Sequence, residues 1–351
     1  MGKGVKQIIV RILLCVALLG MAHNMSAFSL NLDSIAEWGK FPRFCVNTYR
    51  WGDRFFNTYD STYVVGSGTK FNVKFVTDSW LEYYNFSLPN RTRIDIASDP
   101  STSIGAYLTY LALSVGYDIN ISNLFRGTSR SRSRYQFGFN CSLLSVEMYL
   151  ENNEIGTKIR RFGDDAHVNL PFNDIKIKAW GIDACYFFNH KRYSQAAAFN
   201  FSKIQHRSQG SFYAGVSIYK QDYDFDFNGL PGYMLQQLPE WWNNYHYRVK
   251  TYNYGIRLGY GYNWAFAKRW LLGVSVSPIV GLRKGWVNSD DERSDLSLFV
   301  RARLSLVWNK GRWFAGVVGK IDTSLINDHK TIFMGHNLST TAAIGYRFNL
   351  W

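Results

Sequence analysis

His206 and Ser208 stand two residues apart, so on an extended strand they project from one face. There an imidazole can accept the proton of a serine hydroxyl and activate it as a nucleophile. No third residue declares itself as the group that would orient the ring, and a polar turn between two strands is the plainer reading. Asp222, Asp224, Asp226 and Asn228, followed by Gly229, place four oxygen-bearing side chains on one face, the ligand type calcium takes. An EF-hand-like loop opening at Asp224 would need a glutamate at position 235, where Leu235 stands, so the polar side of a solvated strand end competes with it. A third set is mainly cationic: Arg257, Arg283, Arg301, Arg303 and Arg347, with Asp118 and Asp183, fall on the polar side of alternating segments. Such charges either pair across an interior or leave a positive passage for anionic solutes.

The elements that position these residues are strands. From Thr251 to Phe266 every even position is large and apolar or aromatic, while the odd positions are Thr251, Asn253, Gly255, Arg257, Gly259, Gly261, Asn263 and Ala265. The same two-residue period runs through 270–283, 296–309, 111–121 and 135–142, and no helical period competes after residue 45. Soluble strands average about five or six residues, yet several of these segments hold one register for twelve or more. Tilted strands that cross a bilayer need that length. Tyr252, Trp264, Trp270, Trp308 and Trp313 sit near segment ends, as aromatic girdles require. The fold class expected is all-β, a transmembrane antiparallel β-barrel of about twelve strands, with ten or fourteen as alternatives.

Composition agrees. The 351 residues are 17% aromatic and 19% charged, with 29 Gly and 7 Pro, which excludes disorder, collagen and a disulfide mini-protein. The apolar run Ile8 to Met21, preceded by Lys3 and Lys6, is too short to span a bilayer as a helix and suits a signal peptide ending at Ala22. Its removal takes away three positive charges, lowering the net charge from +14 to +11. A basic exported chain meets anionic lipid, polysaccharide or acidic solutes rather than nucleic acid. Cys45, Cys141 and Cys185 then remain, allowing at most one disulfide and offering no CxxC metal spacing.

Strands are expected near 69–77, 79–88, 103–121, 133–150, 175–188, 194–206, 210–222, 249–266, 269–286, 295–309, 312–322 and 338–351. The short connections at 267–268 and 309–311 then face the periplasm, and 223–248, 287–294 and 323–337 face outward. Connection 151–174 disobeys, being long yet periplasmic by this count. The domain division expected is a signal peptide at 1–22, a periplasmic or plug segment at 23–68 and the barrel at 69–351. Trp241, Trp242, Tyr245 and Tyr247 in an outer loop are candidates for stacking on sugars. Arg126, Arg130, Arg132 and Arg134 are candidates for lipopolysaccharide phosphates, with a solvated loop as the plainer reading.

The chain ends in alternating apolar residues, Ile344, Tyr346, Phe348 and Leu350, closing on Trp351, which resembles the signal read by outer-membrane barrel assembly machinery. With that ending, the segments 51–60, 185–199 and 205–212 resemble the uncharacterised outer-membrane β-barrel family of Bacteroidetes known as domain of unknown function 4421. The resemblance implies an outer-membrane location and supplies no catalytic residues. His206 to Gly210 is also similar to the His-x-Ser-Asn-Gly segment of outer-membrane phospholipases, with Gln209 where asparagine is expected. The function expected is structural, surface-binding or that of a narrow anion-biased channel, with a lipid hydrolase using Ser208 and His206 as the alternative. Outer-membrane lipid and lipopolysaccharide are the expected partners, and no cofactor is expected beyond the calcium candidate. A barrel of this kind should be extracted only by detergent and should migrate faster on gels before heating than after, whereas a soluble sandwich would do neither.

Overall fold

The structure, a computed structural model, describes residues 58–349 except 90–91, 111–112, 123–131, 154–155, 166, 173–174, 288–292 and 328–330, together with scattered residues between 37 and 52. Two compact units are distinguished, 1–54 with 349–351, and 55–348. The described residues of 37–52 are helical apart from Gly39. The signal segment and Cys45 lie outside the described residues.

The second unit contains, in order, β1 (Val64–Gly66), β2 (Phe71–Ser87), β3 (Arg93–Ser98), β4 (Ser101–Tyr110), β5 (Leu113–Asn120), β6 (Arg132–Asn140), β7 (Leu144–Asn153), β8 (Thr157–Phe162), β9 (Leu170–Phe172), β10 (Ile175–Phe187), the helix α1 (Gln195–Phe199), β11 (Lys203–Gln205), β12 (Gln209–Asp226), the helix α2 (Gly232–Leu235), β13 (His246–Ala267), β14 (Trp270–Val287), β15 (Arg293–Lys310), β16 (Trp313–Asn327) and β17 (Ile332–Phe348). Strands β2, β4 to β7, β10 and β12 to β17 pair antiparallel with their neighbours, and β17 pairs with β2 from Ile332 opposite Ser87 to Phe348 opposite Phe71. The result is a closed twelve-stranded antiparallel barrel. Strands β3, β8 and β9 extend the upper half of β2 sideways, and β1 pairs with β11 as a separate two-stranded sheet.

Burial is inverted relative to a soluble sandwich. On β13, Tyr254, Ile256, Leu258, Tyr260, Tyr262 and Trp264 are exposed, while Thr251, Asn253, Arg257 and Asn263 are buried. On β14, Val274, Val276, Val280 and Leu282 are exposed, while Ser275, Ser277 and Arg283 are buried. An outer face of this composition belongs against hydrocarbon.

The abundance of glycine beside aromatics has a structural cause in cross-strand pairs. Tyr107 faces Gly116, Tyr149 and Tyr219 flank Gly181, Tyr213 faces Gly259, and Phe314 faces Gly345, in direct register. Each ring lies over its glycine so closely that a Cβ would stand 1.9 to 2.7 Å from a ring atom. Ring-over-glycine pairing covers bare backbone and lets wide rings fit side by side.

Twelve strands arise although several boundaries differ from expectation. The segments 69–77 and 79–88 are one strand, β2, while 103–121 and 133–150 each cover two strands, β4 with β5 and β6 with β7. The segment 194–206 is no barrel strand: it forms α1, capped by the Ser194 side chain accepting from the Ala197 amide, and the short β11. Its run of Ala196, Ala197 and Ala198 favours helix over strand. With these changes 154–174 joins 88–100, 121–131, 227–245, 288–292 and 328–331 at one end, termed the loop end, so the disobedient connection disappears. The turns 141–143, 268–269 and 311–312, with 188–208, lie at the other, the turn end.

Gly259→Ala should displace the Tyr213 ring and cost about 1–3 kcal/mol, as overpacking does. A lower midpoint for heat-induced loss of the fast-migrating gel form would register it.

Candidate functional site

At mid-height the inward face carries ionisable residues, and the barrel pairs them across its width. Asp183 on β10 meets Arg301 Nη1 on β15 at 2.8 Å and Arg257 Nη1 on β13 at 3.7 Å. Its Oδ1 also accepts from the hydroxyls of Ser217 and Tyr219. Arg301 Nε reaches Asp322 at 2.6 Å, and Lys320 Nζ holds the other oxygen of Asp322 at 2.6 Å. Arg303 grips Glu147 through both terminal nitrogens, at 3.1 and 2.7 Å. Arg283 donates to Asp295 at 3.1 Å, and Asp118 accepts from the Tyr107 hydroxyl at 2.6 Å. All seven residues of the sequence-derived inward set are buried. Ion pairs in a confined interior are strengthened by further hydrogen bonds to both partners, and Ser217 and Tyr219 supply them to Asp183 while Arg303 holds Glu147 in two places.

Periodicity did not point to Glu147, Lys320 or Asp322. Asp322 lies directly across from Arg301, and Lys320 from Arg303, once β15 and β16 are in register. Glu147 was hidden because the turn at 141–143 resets the inward phase within a segment read as one strand.

Both mouths are filled. At the turn end, segment 188–208 folds inward. Asn263 Nδ2 donates to the Ser194 carbonyl at 2.8 Å, and Arg347 Nη2 donates to the Phe201 carbonyl and to Asn309 Oδ1, both at 2.6 Å. The Arg347 guanidinium also lies 4.6 Å from the centre of the Phe314 ring. The wall makes room with glycine: a Cβ on Gly261 would strike Tyr193, on Gly273 Ala198, and on Gly316 the Phe201 ring. Phe199 and Phe201 are buried with Leu271, Val307 and Phe314. At the loop end an aromatic cluster closes the interior, with Phe86 edge-on to Phe225 and Tyr247 at 5.2 and 5.1 Å, and Trp242 stacked on Phe227 at 5.0 Å. Leu230, Met234 and Leu238 from the loop around α2 complete this cap. Between the two lie a cavity of about 200 Å³ lined by Lys74, Gln136, Glu147, Asn200 and Arg303, and another of about 120 Å³ lined by Glu82, Glu151, Arg301, Asp322 and His336.

The remaining candidates fall elsewhere. Trp242 and Tyr247 are corrected from surface-loop to cap residues, because loop 227–245 turns its apolar side into the barrel and Tyr247 stands on the inward face of β13; Trp241 and Tyr245 remain exposed. His206 and Ser208 sit in the loop between β11 and β12 rather than on a strand. Ser208 Oγ accepts from the Ala265 amide at 3.0 Å, and the His206 side chain is exposed. The serine thus completes the end of β13, and the shared strand face that the hydrolase alternative needs does not form.

Asp222, Asp224 and Asp226 do share the outward face of β12, but Asp224 is held by His246 at 3.1 Å and Arg248 at 3.3 Å. Asp226 accepts from the Asn228 amide and side chain at 3.0 and 2.8 Å. These partners engage one oxygen each of Asp224 and Asp226, and among the described residues no group of three or more His, Cys, Asp or Glu side chains is placed to hold a metal. Cys141 and Cys185 are buried and unbridged. Arg126 and Arg130 lie outside the described residues, and Arg132 and Arg134 fall on β6.

The fold and its contents define a class: an outer-membrane-type β-barrel whose lumen is packed with paired charges and stoppered at both ends. The sequence match is narrower. Residues 58–348 match the domain of unknown function DUF4421, and the chain belongs to that family. No curated protein matches the chain in sequence. Among solved structures, it is similar to the outer membrane protease OmpT of Escherichia coli, at 8% identity over 79% of this chain and 96% of that one, with a TM-score of 0.37. The translocator domain of the autotransporter NalP from Neisseria meningitidis gives 9%, 79%, 88% and 0.38 in the same order. The COG4313 outer membrane channel from Pseudomonas putida F1 gives 10%, 79%, 96% and 0.32. Likeness at this level transfers neither site nor activity.

Asp183→Ala leaves Arg301 and Arg257 without their shared carboxylate and should destabilise the barrel by about 3–5 kcal/mol. The pair Glu147→Gln with Arg303→Met should be milder than Glu147→Gln alone, measured as midpoints of detergent-phase unfolding.

Proposed function

We propose that this protein is an outer-membrane barrel that acts through its membrane-facing and outer surfaces and conducts no solute through its lumen, which makes the structural or surface-binding role the preferred one over an anion-biased channel. The observation that carries the reading is the double closure, the 188–208 segment at the turn end and the aromatic cap at the loop end. A positive passage would need unpaired arginines along an open path, whereas Arg257, Arg283, Arg301 and Arg303 are committed to carboxylates. The apolar outer face supports insertion in a bilayer, and the short turns 141–143, 268–269 and 311–312 at one end against the long connections 88–100, 154–174 and 227–245 at the other, with the inward-folded 188–208 as the exception, support an orientation with the loop end outside the cell. The family resemblance adds the expectation of a bacterial, Bacteroidetes outer membrane.

The hydrolase alternative loses support because His206 and Ser208 lie in the loop between β11 and β12 and share no strand face. Purified barrel in planar bilayers should be electrically silent. Gly273→Leu combined with Arg347→Met, which removes the recess and the clamp of the inward segment, should produce conductance steps; steady conductance from the unaltered protein would overturn the proposal.

A further inference from the structure

The outward face of the barrel is not uniformly apolar. At the loop end of β10, β12, β13 and β14 it becomes a basic strip above an aromatic floor. Register places Lys176, Asp224 and Arg248 in one cross-strand row. Lys178, Asp222, Lys250 and Trp286 form the next, and Trp180, Lys220, Tyr252 and Lys284 the third. Even-numbered residues of these strands face outward, and Lys176, Lys178, Arg248, Lys250 and Lys284 are exposed. Among the described residues of these rows, Lys176, Lys178, Lys220, Arg248 and Lys250 stand with two carboxylates, Asp222 and Asp224, and Asp224 is already engaged by His246 and Arg248, as Asp226 in the next row is by His246. The rings stand in the lower two rows: Trp180 meets Tyr252 edge-on at 6.4 Å, Lys220 Nζ lies 5.5 Å from the Tyr252 ring, and Lys250 Nζ 5.7 Å from the Trp286 ring. Towards the turn end the same strands carry only the exposed apolar residues Tyr254, Ile256, Leu258, Val280 and Leu282 before their own girdle at Trp264 and Trp270.

We propose that this strip docks the phosphorylated sugar headgroup of lipopolysaccharide. The inference rests on the membrane orientation proposed above and goes beyond it by naming the surface and the ligand. Aromatic rings on an outer face mark the boundary between acyl chains and headgroups, so cations immediately above them meet headgroup phosphates and not hydrocarbon. Lysine stems lying along rings keep their ammonium groups at that level. Four strands at about 4.8 Å spacing and side-chain rows about 6.8 Å apart spread the charges over roughly 14 Å in each direction. That spread suits a headgroup carrying more than one phosphate, and ammonium and guanidinium groups make charge-assisted hydrogen bonds to phosphate oxygens.

The test uses the full barrel in neutral detergent, titrated with bisphosphorylated lipid A, with lipid A of the same acyl chains stripped of phosphate, and with phosphatidylglycerol, read by native mass spectrometry. The unaltered protein should retain bisphosphorylated lipid A and lose it with added salt. Lys176→Gln, Lys178→Gln and Lys250→Gln together should weaken that binding on the order of a hundredfold. Lys268→Gln with Lys310→Gln, at the turn end, should leave it unchanged. Heat-dependent gel mobility identifies variants that retain the fold. Equal retention by the triple variant, or equal retention of the phosphate-free lipid, overturns the docking strip while leaving the membrane reading intact. Equal retention of phosphatidylglycerol overturns the assignment to lipopolysaccharide. A chain that stays soluble without amphiphile and binds none of the three lipids overturns the membrane reading itself.

Discussion

Hydrocarbon offers no hydrogen-bond partner, so a sheet facing it must leave no free edge. The pairing of β17 with β2 along seventeen residues of each is the contact that meets this condition. Once the sheet is closed, each strand has one face turned to lipid and the other to a confined interior, and the period-two alternation assigns every residue to one of them. The buried arginines and the exposed leucines are two results of the same closure.

The interior then has to be neutral and filled. Arg301 sits between Asp183 and Asp322, and Arg303 is matched by Glu147, so the central charges are cancelled by residues from β7, β10 and β16. The ends are filled differently. The turn end takes in a piece of chain whose backbone polar groups are satisfied by Asn263 and Arg347. The loop end is closed by an apolar cluster, aromatic rings of the strands packed edge to face and the side chains of loop 227–245 laid against them. Small inward residues are the precondition for the first: bulk at Gly261, Gly273 or Gly316 would occupy the space of Tyr193, Ala198 or Phe201.

Charge on the outer face obeys the same logic at a different level. On β10, β12 and β13 the described outward charges of the loop end gather at and above the level of Trp180 and Tyr252, where β12 and β13 outlast the apolar belt. The aspartates of β12, which in isolation look like a cation site, face basic residues on both neighbouring strands and are drawn into a mixed row of charge.

Strand type, the inward phase of Arg257, Arg283, Arg301, Arg303 and Asp183, and the apolar outer belt were legible in the sequence, because a two-residue period reports which side of a sheet a residue takes whatever that sheet packs against. The turn at 141–143, which resets the period without breaking it, was not, and it concealed Glu147. What became of 188–208 and of Trp242 and Tyr247 was decided only in three dimensions. A helical turn between two strands, or an aromatic in a loop, goes inside or stays out according to the space left by residues as distant as Gly316 and Phe86, and no local pattern records that space.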